Sequence, residues 1–246
     1  MKVHLVEKDY LIGLDLGQAN DFTAAAVVRR MEALEYYTEH DLQQEGELWP
    51  QSAAYAALKA GRPKSRTEQY DCVHLQRWPI GTRYPVIVAE VAEMLRRLPA
   101  PQQPKTAWSK AENHLVIDRT GVGRAVYDMF TDLGVRPVGI TITGGDKPVR
   151  DRMDWSVPKK DLAGALQATL GTGRLKIAPE LPETPVLVQE LQNFEVRIST
   201  SGHAQFAADW RSGTHDDLVL ALACAVWYAE HGPKGLSSEA FSPTYR

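Results

Sequence analysis

The sequence is poor in the features that mark secreted, membrane-bound or nucleotide-driven proteins. It has only two cysteines, Cys72 and Cys224, far apart and in apolar contexts. They form no CxxC pair and no multi-bridge framework, so a reducing, cytoplasmic setting is expected. No apolar run approaches the ~20 residues that span a bilayer, and the opening MKVHLVEKDY lacks the continuous apolar stretch of a signal peptide. Neither a GxxxxGK[ST] phosphate loop nor an HExxH zinc motif occurs. An excess of one charge is missing too: 28 Lys and Arg against 31 Asp and Glu leave a net charge of -3. Nucleic-acid recognition by bulk charge is thereby excluded, and any such contact must come from a local patch.

What is present suits one α/β domain. The 246 residues, 43% of them hydrophobic, can build a substantial core; that core is expected over about 10–230, with 39–69 as an insertion and 232–246 as a loose tail. YLIGLDLG from Tyr10 reads as a buried strand, and FTAAAVVRRM after the turn QAND as its hairpin partner. Within the insertion a short helix is expected over 52–59. YDCVHLQRWP predicts a third strand and PVIVAEVAEMLRRL a helix with Pro85 in its first turn. Beyond the proline-rich link PAPQQPKTAWSK, the strand NHLVID runs through the turn RTGVG into a helix that starts at Gly123, continues as RAVYDMFTDL and is closed at Gly134; the strand RPVGITIT follows. This alternation implies a partly parallel sheet. A charged loop over 144–160 leads to the helices DLAGALQATLGTG and PVLVQELQNF. EVRIST and AQFAAD around Ser201-Gly202 read as an extra β-hairpin, followed by the final apolar helix THDDLVLALACAVWYAEHG.

Three carboxylates sit where apolar neighbours predominate. Asp15 is embedded in LIGLDLG, Asp118 ends LVID, and Asp217 opens the final helix beside Asp216. Burial penalises each charge, and proximity makes them repel. A divalent cation relieves both, and oxygen donors without supporting cysteine or histidine spacing select a hard ion, Mg²⁺ or Mn²⁺. Each residue also has a bland alternative: Asp118 as a turn former, and Asp216 and Asp217 as first-turn acids that cap free amides. Asp15 has the weakest alternative, lying inside its strand. In the final helix Asp217, Ala221, Cys224, Ala225 and Tyr228 share one face, and the small residues there would let the helix press closely on a sheet.

In this order, IGLDLGQANDFTAAAVV, LVIDRTGVG with the RAVYDMF that continues it, and HDDLVLALACAVWYA resemble the three acidic blocks of the nuclease domain of tailed-phage large terminase subunits. VPKKDLAGALQATLGTGRLKIAP, with the following ELQNF helix, is similar to that family's middle region. The resemblance covers roughly residues 10–230. It implies a ribonuclease H-like fold, a mixed central sheet flanked by helices, and a metal-dependent endonuclease in which Asp15, Asp118 and Asp217, with Asp216 as neighbour, bind two Mg²⁺ or Mn²⁺ ions and cut double-stranded DNA. His215 and Lys159 are candidates for assisting proton movement. The family's packaging ATPase half has no counterpart here, so motor activity is not expected; a separate ATPase, a small terminase protein or a portal are candidate partners. A virus- or prophage-encoded chain would work in the host cytoplasm.

Two further features have plain readings beside functional ones. The GVG at 121–123 lacks the rest of a dinucleotide fingerprint and reads better as a turn at a helix start than as a phosphate cradle. Lys147, Arg150, Arg152, Lys159 and Lys160 outnumber Asp151 and Asp154 around Trp155; such a stretch is either a solvated loop or a binding surface for DNA phosphates. Rival functions are a Holliday-junction resolvase-like nuclease, which shares the carboxylates, an actin- or sugar-kinase-like ATP-binding domain, which also begins with a strand like IGLDLG, and a non-catalytic DNA-binding module.

Overall fold

The computed structural model describes residues 2–17, 21–44, 46, 49–101, 112–200 and 216–233, with residue 2 and residues 195–200 described in backbone only. Its centre is an eight-stranded sheet. Strands β1 (Lys2–Asp15), β2 (Thr23–Tyr36) and β3 (Pro63–Trp78) form an antiparallel meander. On the other side of β1, strands β4 (His114–Asp118) and β5 (Val138–Thr143) add in parallel. The remaining strands are β6 (Val149–Asp151), β7 (Asp154–Pro158) and β8 (Leu175–Ile177), and the full order is β6-β7-β5-β4-β1-β2-β3-β8. This mixed α/β sheet agrees with the ribonuclease H-like fold that the resemblance implies.

Helices cover both faces, which is why the central strands are apolar on both. In β1 the side chains alternate, Leu11 toward one core and Ile12 and Leu14 toward the other; in β2, Ala24, Ala26 and Val28 oppose Ala25 and Val27 in the same way. One core packs against α3 (Tyr84–Arg97) and α4 (Gly123–Asp132). The other packs against α5 (Lys159–Gly171), α6 (Thr184–Thr200) and α7 (Asp217–His231). Helix α7 is buried from Asp217 through Ala229, since it lies between the sheet and α5 and α6. A helix apolar around its whole circumference fits that position and no surface one.

The strand and helix expectations hold in type, with several corrections. Strand β1 begins at Lys2, not near Tyr10, because its first half pairs with the second half of β2. The insertion over 39–69 contains α1 (Glu39–Gln44) and α2 (Ala53–Lys59), and its last residues already belong to β3. The charged loop over 144–160 holds the β6–β7 hairpin, which turns at Arg152 with φ 57°. EVRIST is not a strand: 195–200 continue α6. The second arm of the expected hairpin, the link over 102–111 and the tail beyond 233 lie outside the described residues. Among the described residues no helix is long and apolar enough to cross a membrane.

Helix and sheet approach closely at Gly13, where a β-carbon would stand 1.9 Å from the Ala221 carbonyl oxygen and 3.1 Å from the Ala225 β-carbon. A side chain there must push α7 off the sheet. Gly13→Ala is therefore expected to lower stability by about 2 kcal/mol or more, the upper range for an overpacked core. Urea unfolding with a reduced midpoint and unchanged slope would show it; Ala221→Gly should not rescue the variant, because the obstacle is main chain.

Candidate active site

Strand pairing brings the first two carboxylates together. Strands β1 and β4 run parallel with Leu14 opposite Ile117, so Asp15 and Asp118 follow side by side at the two strand ends. The alternation that turns Leu11 and Val116 toward α7 turns Asp15 and Asp118 the same way. Helix α7 runs against the strand direction, since Tyr228 near its end meets His114 at the start of β4, with ring centroids 5.4 Å apart. From the Gly13–Ala221 contact, two strand residues lead about 6.6 Å to Asp15, and four helical residues lead back about 6 Å to Asp217. The third carboxylate thus arrives over the first. All three are buried.

Like charge and poor solvation dominate this region. Burial first, then repulsion from Asp118, Asp217, Asp216 and Asp21, pushes the Asp15 carboxyl well above its usual range. Asp118 is raised mainly by burial; opposing this, the Thr120 N–H donates to its Oδ1 at 2.8 Å and the Lys159 ammonium favours its charge. The turn-forming role is thus real at Asp118 and coexists with its place in the cluster. Asp217 is pushed up to about 7 by burial, Asp216 and Asp21, with Arg77 acting in opposition.

Cations stand at the edges. Lys159 Nζ donates to Asp216 Oδ2 at 3.1 Å and lies 5.3 Å from the centre of the Phe194 ring. Arg77, on β3, lies over Phe22 at 4.3 Å and approaches Glu183 at 3.7 Å. Of the five basic residues singled out in sequence, only Lys159 joins the carboxylates. Lys160 pairs with Asp146 at 3.1 Å. Arg150 lies over Trp155 in the hairpin, its Nε donating to the Arg152 carbonyl at 2.8 Å, and Lys147 and Arg152 are exposed. His215 lies outside the described residues.

Three members of the region escaped the sequence reading. Asp21 lies in the polar turn QAND and Arg77 in the strand segment YDCVHLQRWP. Glu190, in α6, is only 4% exposed. Its Oε2 accepts from the Leu218 and Val219 N–H groups at 3.0 and 3.1 Å, while its Oε1 is buried without a hydrogen-bond partner among the described residues. Burial raises its carboxyl to about 7, helped by Asp217 and opposed by the two amides and Arg77. No local pattern signals such a residue, because its partners lie in another helix. The GVG turn has a packing role: a β-carbon on Gly123 would lie 2.0 Å from the Asp118 carbonyl oxygen.

Among the described residues no three Asp, Glu, His or Cys side chains form a ready-made metal cage. The donor chemistry nevertheless fits a hard cation: the converging groups are carboxylates, and their mutual repulsion disfavours the charged state unless positive charge enters.

No family model and no curated protein matches the chain. Among solved structures, the large terminase nuclease from thermophilic phage G20c is similar, with TM-score 0.46 and 16% identity over 91% of this chain and 82% of that one. The human cytomegalovirus terminase nuclease domain, soaked with Mn, is similar with TM-score 0.42 and 9% identity over 90% of this chain and 83% of that one.

A carboxyl whose folded pKa is raised contributes its full stability below the unfolded value, 3.8 for Asp15, and loses it as pH climbs toward the folded value. Asn imitates the protonated form. In EDTA, Asp15→Asn should therefore melt above wild type near about pH 8, with the difference closing near about pH 4. A melting temperature below wild type at both pH values would contradict the strained-carboxylate account.

Proposed function

We propose that this chain is a metal-dependent endonuclease acting on double-stranded DNA, of the kind to which its acidic blocks are similar. The observation that carries this reading is the convergence of Asp15, Asp118 and Asp217, from two adjacent strand ends and one helix start, into a shared buried region. These three, with Asp216, are the residues to hold Mg²⁺ or Mn²⁺ in a two-ion arrangement. When bound, such ions generate a nucleophile from water and stabilise the leaving oxygen of a phosphodiester.

The chain's own groups supply the rest. Main-chain packing brings the Asp15 and Asp118 strand ends and the start of α7 to one region, and the side chains would close on a cation from there. Lys159, steered by Asp216 and the Phe194 ring, stands where it can hold a phosphate oxygen or pass a proton to a departing group. Arg77 supplies positive charge on the Asp217 and Glu190 side. Arg150, Arg152 and Lys147, on and beside the β6–β7 hairpin, suit contacts with DNA phosphates beyond the cut site, which add affinity without reading sequence. A separate packaging ATPase, a small terminase protein or a portal are the partners this reading suggests, in the cytoplasm of a host cell.

Folded protein should nick and linearise supercoiled plasmid with Mn²⁺ or Mg²⁺, stop in EDTA, and show little sequence preference. Asp15→Asn and Asp217→Asn should abolish cleavage with the fold intact, whereas Asp216→Asn should keep part of it, because Asp216 precedes the helix and is engaged by Lys159. Intact plasmid at every Mn²⁺ concentration, or activity in Asp217→Asn but not in Asp216→Asn, would refute these assignments.

The combined variant Lys147→Ala, Arg150→Ala, Arg152→Ala should bind duplex DNA more weakly. Its log-log salt slope should flatten by about 0.9 for each phosphate the variant no longer neutralises. An unchanged slope would reduce the hairpin to ordinary surface.

A further inference from the structure

The first turn of any α-helix leaves main-chain N–H groups without intrahelical partners. In α7 those groups are enclosed by protein, so water cannot serve them. The local candidate, Asp216, occupies the N-cap position but makes no side-chain cap hydrogen bond; its carboxylate is turned to Lys159 instead. The cap comes from a different helix. Glu190 of α6, 28 residues before Leu218, accepts from both the Leu218 and Val219 amides through one oxygen.

This is an unusual source for a cap, which is normally supplied by the residue next to the helix. It ties the start of α7 to α6, and with it the residue immediately before the two bonded amides, Asp217. It also leaves Asp216 outside the capping role. An apolar residue at this place on α6 would have left the α7 amides unsatisfied, and a local cap would have drawn Asp216 away from Lys159.

We propose that Glu190 is a positioning residue for the metal-binding carboxylates, holding Asp217 and Asp216 over Asp15 and Asp118 through its bonds to the Leu218 and Val219 amides. The inference rests on the metal-dependent reading of the site. Without the cap, the first turn of α7 frays and Asp217 loses its fixed relation to the strand ends. Glu190 itself need not touch a cation.

Wild type, Glu190→Gln and Glu190→Ala are compared as full chains by two measurements: Mn²⁺ affinity, from the spin-resonance signal of unbound ion, and amide hydrogen exchange at Leu218 and Val219 without metal. Gln keeps a carbonyl oxygen that accepts from both amides but carries no charge. Ala should speed exchange at the two amides and weaken Mn²⁺ binding by about tenfold or more, while Gln should stay within about threefold of wild type, as expected for an outer-shell partner. If Gln loses as much affinity as Ala, the charge of Glu190 matters rather than its cap, and the positioning role is overturned. Equal exchange and affinity in all three proteins overturns it too. Should Glu190→Ala fail to fold by circular dichroism, Glu190→Asp, one methylene short of the amides, takes its place under the same criteria. Folded wild type that takes up no Mn²⁺ defeats the metal reading and this inference together, whereas wild-type uptake with an indifferent Glu190 defeats this inference alone.

Discussion

The contact of α7 with the sheet at Gly13 is the constraint on which the site depends. Main chain meets main chain there, with the Ala221 carbonyl in the place a side chain would occupy. A backbone contact cannot be retuned by a rotamer change, so the vertical spacing between helix and sheet is fixed to a fraction of an ångström. Asp15 lies two residues along the strand from that point and Asp217 one helical turn along α7. The spacing of the main chain that carries these two carboxylates is thereby set by a backbone contact, rather than by the flexible side chains themselves.

That rigidity works against electrostatics. Asp15, Asp118 and Asp217 are held together although burial opposes the charge of each, Asp118 and Asp217 add repulsion at Asp15, and Asp216 and Asp21 add it at Asp217. Relaxation by swinging a carboxylate into solvent is closed off by burial. Among the described residues, positive charge is supplied at the margins, by Lys159 toward Asp216 and Asp118 and by Arg77 toward Asp217 and Glu190. Such an arrangement is costly for an ordinary core and sensible for a place where cations come and go.

What was legible in sequence follows from which interactions are local. Asp15 and Asp118 stood out because apolar strands flank them directly, and α7 because a helix buried on every side carries that burial in its composition. The β6–β7 hairpin was hidden by its own exposure: Val149, Arg150 and Asp151 are all solvent-facing, so no alternation survives to mark a strand. The first half of β1 is masked similarly, since KVHLVEKD is mostly exposed or half-buried and gains its strand character by pairing with β2. EVRIST favours a strand by its β-branched residues, yet continues α6; local propensity yielded to the helix preceding it. Glu190 and Arg77 were beyond reach because their significance exists only between elements distant in sequence.

The placement of α7 also bears on how the protein comes into being during translation. Asp15 and Asp118 emerge from the ribosome before Asp217, which belongs to the last helix described, and that helix fills the space between the sheet and α5 and α6. Until it docks, the nascent chain has one sheet face uncovered and only Asp15 and Asp118 of the clustered aspartates in register. The carboxylate cluster is therefore completed only once α7 has been made, and a product interrupted before it would be both without the complete site and prone to associate through its bare sheet.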